Sequence, residues 1–150
     1  MLVIGIDPGA SGALAFYFPD TPERISVYDM PLVDGEINCG HLAYQIKSYK
    51  PDFAIIELVG ARPGQGVSSM FKFGVAFGMA RATVSTLMIP HRFVTPAKWK
   101  KHFNLPADKE KARELATQLW PSAMSFARKK DHGRAEAALL CKYAAEAINI

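Results

Sequence analysis

The chain has 150 residues, of which 49% are hydrophobic and 21% charged, and it carries a formal net charge of +4. That length supports one well-buried core and is short for two ordinary domains, so a single domain over residues 1–150 is expected. Charges or prolines break the longest apolar stretches, and Met1 runs straight into a strand pattern without a basic leader, so the expectation is a cytoplasmic protein with neither membrane span nor signal peptide.

In chain order, Leu2 to Asp7, Ala13 to Phe18 and Ile25 to Met30 read as three strands joined by Gly- and Pro-rich turns, an antiparallel meander. Gly40 to Tyr49 has a loosely helical pattern, and Pro51-Asp52 leads into the apolar run Phe53 to Glu57. This pattern suggests a crossover helix feeding a buried parallel strand. After the glycine-proline loop Gly60 to Gly66, Ser68 or Ser69 can cap a long helix reaching about Met88, where Pro90 stops it. His91 to Thr95 is a short strand, Pro96 suits the first turn of a helix Ala97 to Phe103, and Asp108 can cap a further helix to Trp120. The last helix begins near Asp131 and runs through the good helix formers Ala135 to Ala147. This order predicts an α/β fold, a mixed sheet flanked by helices. Cys39 and Cys141 fit neither a disulfide framework nor a CxxC spacing and read as small apolar fillers.

Carboxylates stand at informative places in this order. Asp7 ends the first strand, Glu57 ends the fourth, and Asp131-His132 with Glu136 occupy the start of the last helix. Carboxylates held rigidly at a sheet edge, with a third group from a helix, suit a pair of hard cations about 4 Å apart for in-line attack on a phosphodiester. Singly, Asp7 before Pro8-Gly9 also fits a turn, Asp131 a helix cap and Glu136 a solvated charge. Glu57 fits a bland role least, because a charge closing an apolar strand is costly unless it is paired or coordinates a metal. Between His91 and Arg134 there are 11 Lys and Arg against 4 acids, a local net of +7, which leaves −3 for the remainder. A basic segment beside isolated carboxylates is the electrostatic pattern of a protein that holds phosphates.

The segments Gly5-Ile6-Asp7-Pro8-Gly9 with Ser11-Gly12-Ala13, Ile55-Ile56-Glu57, Thr95-Pro96-Ala97-Lys98-Trp99-Lys100, Asp108-Lys109 and Arg134-Ala135-Glu136-Ala137-Ala138-Leu139 together resemble the RuvC-type Holliday junction resolvases of the RNase H-like superfamily, particularly their compact phage-like branch. The resemblance covers nearly the whole chain and implies an RNase H-like five-stranded sheet of three antiparallel and two parallel strands. It further implies two Mg²⁺ ions, replaceable by Mn²⁺, held by Asp7, Glu57, Glu136 and Asp131 or His132. The products would be a 5′-phosphate and a 3′-hydroxyl. Lys100 and Lys109 match the family's lysines near the scissile phosphate.

The sequence departs from the family at one place. The last two ligands of the family lie three apart on the helix, but three before Glu136 is Gly133. Helical geometry favours His132, four before Glu136, whereas ligand hardness favours Asp131, and both stand as candidates. A third reading makes His132 a general base or proton carrier.

The remaining expectations concern partners. Lys98, Lys101, Lys129 and Lys130 are candidate phosphate contacts on branched DNA such as four-way junctions. Gly74, Gly78 and Ala82 form a small-residue stripe on the long helix, matching the helix through which the resolvases form homodimers; close packing on the protein's own sheet is the alternative. Phe71 and Phe73, two apart, cannot share a helix face, so at most one faces the core and the other is free to stack on an unpaired base. Competing readings are a flap or branched-DNA nuclease of the same fold, a non-catalytic junction binder, and an ATP-binding domain suggested by the Gly5 to Gly12 turn. The last would need a second glycine-rich loop and a second lobe, which the chain lacks.

Overall fold

A computed structural model describes all 150 residues. Its strands are β1 (Val3–Asp7), β2 (Ala13–Tyr17), β3 (Ile25–Asp29), β4 (Leu32–Val33), β5 (Glu36–Ile37), β6 (Phe53–Glu57) and β7 (His91–Val94). Its helices are α1 (Cys39–Tyr49), α2 (Val67–Thr86), α3 (Pro96–His102), α4 (Lys109–Leu119) and α5 (His132–Ala147). The main sheet has the order β3-β2-β1-β6-β7, with β1, β2 and β3 antiparallel and β6 and β7 parallel to β1. This is the expected mixed five-stranded sheet. No helix is long and apolar enough to cross a membrane.

The central strands are apolar up to the carboxylates Asp7 and Glu57 that end β1 and β6, because both faces are covered. Even-numbered residues, among them Ile4, Ile6, Leu14, Phe16 and Ile56, form one core with α1 and α2. Odd-numbered residues, among them Val3, Ala13, Ala15 and Ile55, form the other core with α3, α4 and α5. Helix α5 lies on β1 and β2 and is buried almost throughout Ala135 to Ala144. Its small side chains allow the close approach, and the Cys141 thiol donates to the Ala15 carbonyl at 3.2 Å, a filler role that matches its sequence reading.

The alternation of side chains then decides where the carboxylates go. Ile6 pairs with Ile56 in the parallel β1–β6 ladder, so Asp7 and Glu57 follow at the same edge. Both are odd-numbered, so both project to the face that α5 covers.

Three details differ from the sequence expectation. A small hairpin, β4–β5, stands between β3 and α1, turning at Asp34-Gly35, whose φ angles are 52° and 78°. Two successive positive φ values suit a tight hairpin turn, a signal that Asp-Gly carries in sequence. Helix α2 starts at Val67 with Gly66 as its cap and no side-chain cap bond, so neither Ser68 nor Ser69 caps it, and it ends at Thr86. Helix α5 begins at His132, and Asp131 makes no side-chain cap bond to it. The cap at Asp108 forms as expected, accepting from the Glu110 backbone N–H, and Thr95 caps α3 by accepting from the Lys98 backbone N–H.

Candidate metal centre

Three carboxylates converge at the β1–β6 edge beneath α5. Asp7, Glu57 and Glu136 each offer an oxygen, and these lie within 4.8 Å of one another. Glu57 and Glu136 are only 9% and 7% exposed, and Asp7 is half-buried. Burial pushes the Asp7 carboxyl well above the usual range, and the charges of Glu136 and Glu57 push it further. Glu57 is raised by burial and, more weakly, by Glu136, against the opposing hydrogen bond from Trp99. Glu136 is raised chiefly by burial. Three mutually repelling carboxylates in a desolvated corner form an unfavourable arrangement that a hard divalent cation relieves, and all-oxygen donors suit such a cation.

Positive charge surrounds this cluster. The charges of Lys100 and Lys109 lower the pKa of Asp7 and Glu136, and that of Lys100 also lowers the pKa of Glu57, so both lysines singled out in the sequence act on the carboxylates. Arg62, from the loop before α2, acts on Glu57 and Glu136 in the same direction. Neither Arg62 nor Trp99 was a sequence-level candidate. Trp99 is fully buried and donates its indole N–H to Glu57 Oε2 at 2.7 Å. A buried indole needs an acceptor, and in sequence that need points to no particular partner. Lys98, Lys101, Lys129 and Lys130 are exposed.

The start of α5 is arranged differently from the carboxylate cluster. Asp131 is 3% exposed, and its two oxygens accept from the Arg128 backbone N–H at 2.8 Å, from Nε at 3.1 Å and from Nη2 at 2.8 Å. Burial alone would raise its pKa, but these bonds from Arg128 outweigh it and hold the carboxyl below its usual range. His132, partly buried, is held below its usual pKa by desolvation and by the charge of Lys109. Gly133 is the point of contact: a Cβ there would stand 2.5 Å from the Ser11 carbonyl oxygen and 3.4 Å from Asp7 Oδ2. The position three before Glu136 is therefore closed to any side chain, ligand or not.

Helix α2 lies largely outside the core. Gly74, Gly78 and Ala82 are exposed, and a Cβ at either glycine would meet nothing within 4 Å. The stripe does not pack on the protein's own sheet. Gly78 and Ala82 line an open groove of about 630 Å³ between α1 and α2, with Cys39, Ala43, Met79 and Leu87. Phe71 is 74% exposed and Phe73 45%, so neither faces the core, within the expectation that at most one would. The Phe73 ring edge lies 3.9 Å from where a Cβ on Gly9 would stand, beside the turn that follows Asp7.

No protein-family model matches the sequence, and no curated protein is similar enough in sequence to serve as a relative. Solved structures do match in fold. Thermus thermophilus RuvC in complex with a Holliday junction substrate superposes with a TM-score of 0.64 at 14% identity, covering 97% of this chain and 95% of that one. A second structure of Thermus thermophilus RuvC gives 0.61 at 16% identity with the same coverage. The yeast mitochondrial Holliday junction resolvase Ydc2 gives 0.53 at 17% identity, covering 93% of this chain and 75% of that one. The chain has the RuvC-like RNase H fold over nearly its whole length.

Proposed function

We propose that this chain is a divalent-metal-dependent endodeoxyribonuclease that resolves four-way DNA junctions, leaving 5′-phosphate and 3′-hydroxyl ends. The observation that carries this reading is the convergence of Asp7, Glu57 and Glu136 within 4.8 Å, with Lys100 and Lys109 acting on the cluster, on a RuvC-like fold.

When bound, two Mg²⁺ ions, or Mn²⁺ in their place, supply acidification of a water and neutralisation of charge on the leaving oxygen. Asp7, Glu57 and Glu136 would hold the cations. Lys100 and Lys109 face the scissile phosphate and offset its charge. His132, kept neutral by burial and by Lys109, is suited to accept a proton. Asp131 serves the scaffold by fixing Arg128 and the start of α5.

The exposed Lys98, Lys101, Lys129 and Lys130 position the DNA backbone, and loss of each reduces the slope of log K against log salt by about 1. Phe71 or Phe73, both exposed and the latter beside the turn that follows Asp7, stacks on an unpaired base. A homodimer through the α2 stripe supplies the two active sites that symmetric resolution requires.

The test is cleavage of a labelled four-way junction by Asp7→Asn, Glu57→Gln and Glu136→Gln. Each is expected to abolish Mg²⁺-dependent cutting while junction binding stays intact or tightens, because removing a carboxylate also removes repulsion against phosphate. Near-normal cutting by any of the three contradicts the site.

A further inference from the structure

The two tryptophans of the chain are used differently. Trp120 donates its indole N–H to the Pro22 carbonyl at 2.9 Å, an ordinary way for a core indole to satisfy its polar atom. Trp99 instead donates to Glu57 Oε2, a member of the carboxylate cluster. No side-chain donor reaches Asp7 or Glu136; among the three carboxylates only Glu57 is held by a neutral hydrogen bond of this kind.

Trp99 is itself rigidly placed. It lies in the short helix α3, whose start is fixed by the Thr95 cap and by Pro96 at the first position, and it is completely buried. The Lys100 ammonium lies 5.5 Å from the centre of the same ring. One indole therefore touches both a carboxylate of the cluster and a lysine whose charge acts on all three carboxylates.

We propose that Trp99 is a positioning residue for the metal centre: its N–H fixes the orientation of the Glu57 carboxylate and so sets the affinity of the chain for a divalent cation. The inference rests on the metal-centre reading given above. An ionised carboxylate has about four lone-pair sites; the indole occupies one on Oε2 and leaves the others free for a cation. A neutral donor achieves this without placing a competing positive charge at the ligand. Partners that orient a ligating side chain in this way are worth about 10–100-fold in metal affinity.

The experiment is a calorimetric titration of Mn²⁺ into the full chain without DNA, with melting temperature measured alongside. Four proteins are compared: wild type, Glu57→Gln, Trp99→Phe, and a chain carrying 3-benzothienylalanine at position 99. The last keeps the bicyclic shape and replaces the N–H with sulfur, so it decides the matter if Trp99→Phe fails to fold. The expected result is Mn²⁺ binding weakened about 10–100-fold in the benzothienyl chain, with its melting temperature and its junction affinity in EDTA close to wild type. Wild-type Mn²⁺ affinity in the benzothienyl chain, together with loss of binding in Glu57→Gln, overturns the role of Trp99 and leaves the metal centre standing. Failure of the wild type to bind Mn²⁺ at all overturns the metal centre and this inference with it.

Discussion

Gly5 and Ala137 are in backbone contact: a Cβ on Gly5 would stand 2.3 Å from the Ala137 carbonyl oxygen and 2.8 Å from Cys141 Sγ. Gly5 is two residues before Asp7 on β1, and Ala137 is the neighbour of Glu136 on α5. The contact therefore sets the distance between the strand carboxylate and the helix carboxylate. Gly5→Ala forces backbone against backbone, a displacement that costs about 1–3 kcal/mol by overpacking. A lower melting temperature and weaker Mn²⁺ binding are expected together. Unchanged Mn²⁺ affinity in a destabilised Gly5→Ala protein contradicts the link between this contact and the site.

The acidic cluster should make stability depend on pH in a definite direction. Asp7, Glu57 and Glu136 all have raised pKa values in the fold, with burial the largest cause in each. A raised carboxyl contributes stability that is fully present below its unfolded pKa and is lost as pH rises through its folded pKa. In EDTA, Asp7→Asn escapes this loss, so its melting temperature should exceed that of the wild type by an amount that grows with pH. At pH 8 the gap is expected to be roughly 2–8 °C, the shift that about 1–2 kcal/mol produces in a chain of this size. Saturating Mg²⁺ should close or reverse it. Equal melting temperatures across the pH range contradict the electrostatic account.

Asp131 follows the opposite sign. Its folded pKa is held down by Arg128, so its contribution is present above the unfolded pKa and lost as pH falls through the folded one. Asp131→Asn should cost about 1–3 kcal/mol at neutral pH, because it weakens the hydrogen bonds from Arg128 at the buried position 131. Its Mn²⁺ affinity should stay near wild type, and His132→Ala should likewise retain Mn²⁺ binding while slowing cleavage. Loss of Mn²⁺ binding in either variant would make that residue a ligand.

The exposed stripe on α2 gives a prediction about assembly. Because a Cβ at Gly78 would meet nothing within 4 Å and the groove beside it is open, Gly78→Leu should fold with an unchanged monomer structure. Light scattering is expected to report a dimer for the wild type and a monomer for the variant. A dimer that survives the substitution places the interface elsewhere.

Much of this arrangement was legible in the sequence, for physical reasons that can be named. Asp7 and Glu57 stood out because each ends an apolar strand, and strand alternation with parallel pairing carries both to one face. Glu136 by itself fitted a solvated helix charge and was singled out by its place in the ordered set of segments, on the helix that matches the family's last acids. The sequence also showed a ligand missing at Gly133, but the reason lies in the approach of the α5 backbone to Ser11, a contact 122 positions apart that local pattern does not encode. Asp131 gave no sign that its oxygens go to Arg128, because a capping partner and a metal look alike in sequence. Trp99 and Arg62 were missed for a related cause: each acts on a carboxylate from a separate element, and only the fold brings them together. The exposure of both Phe71 and Phe73 was hidden as well, since helical spacing says which residues share a face and not whether anything covers that face.

The most direct test of the account is cleavage of a labelled four-way junction compared with linear duplex, flap and RNA–DNA hybrid, using wild type and Glu57→Gln, with Mg²⁺ or with EDTA. The account predicts paired, symmetric nicks in the junction by the wild type with Mg²⁺, little cutting of the other substrates, and none by Glu57→Gln or in EDTA. Absence of junction cleavage with either Mg²⁺ or Mn²⁺, or equal cleavage by Glu57→Gln, would contradict it.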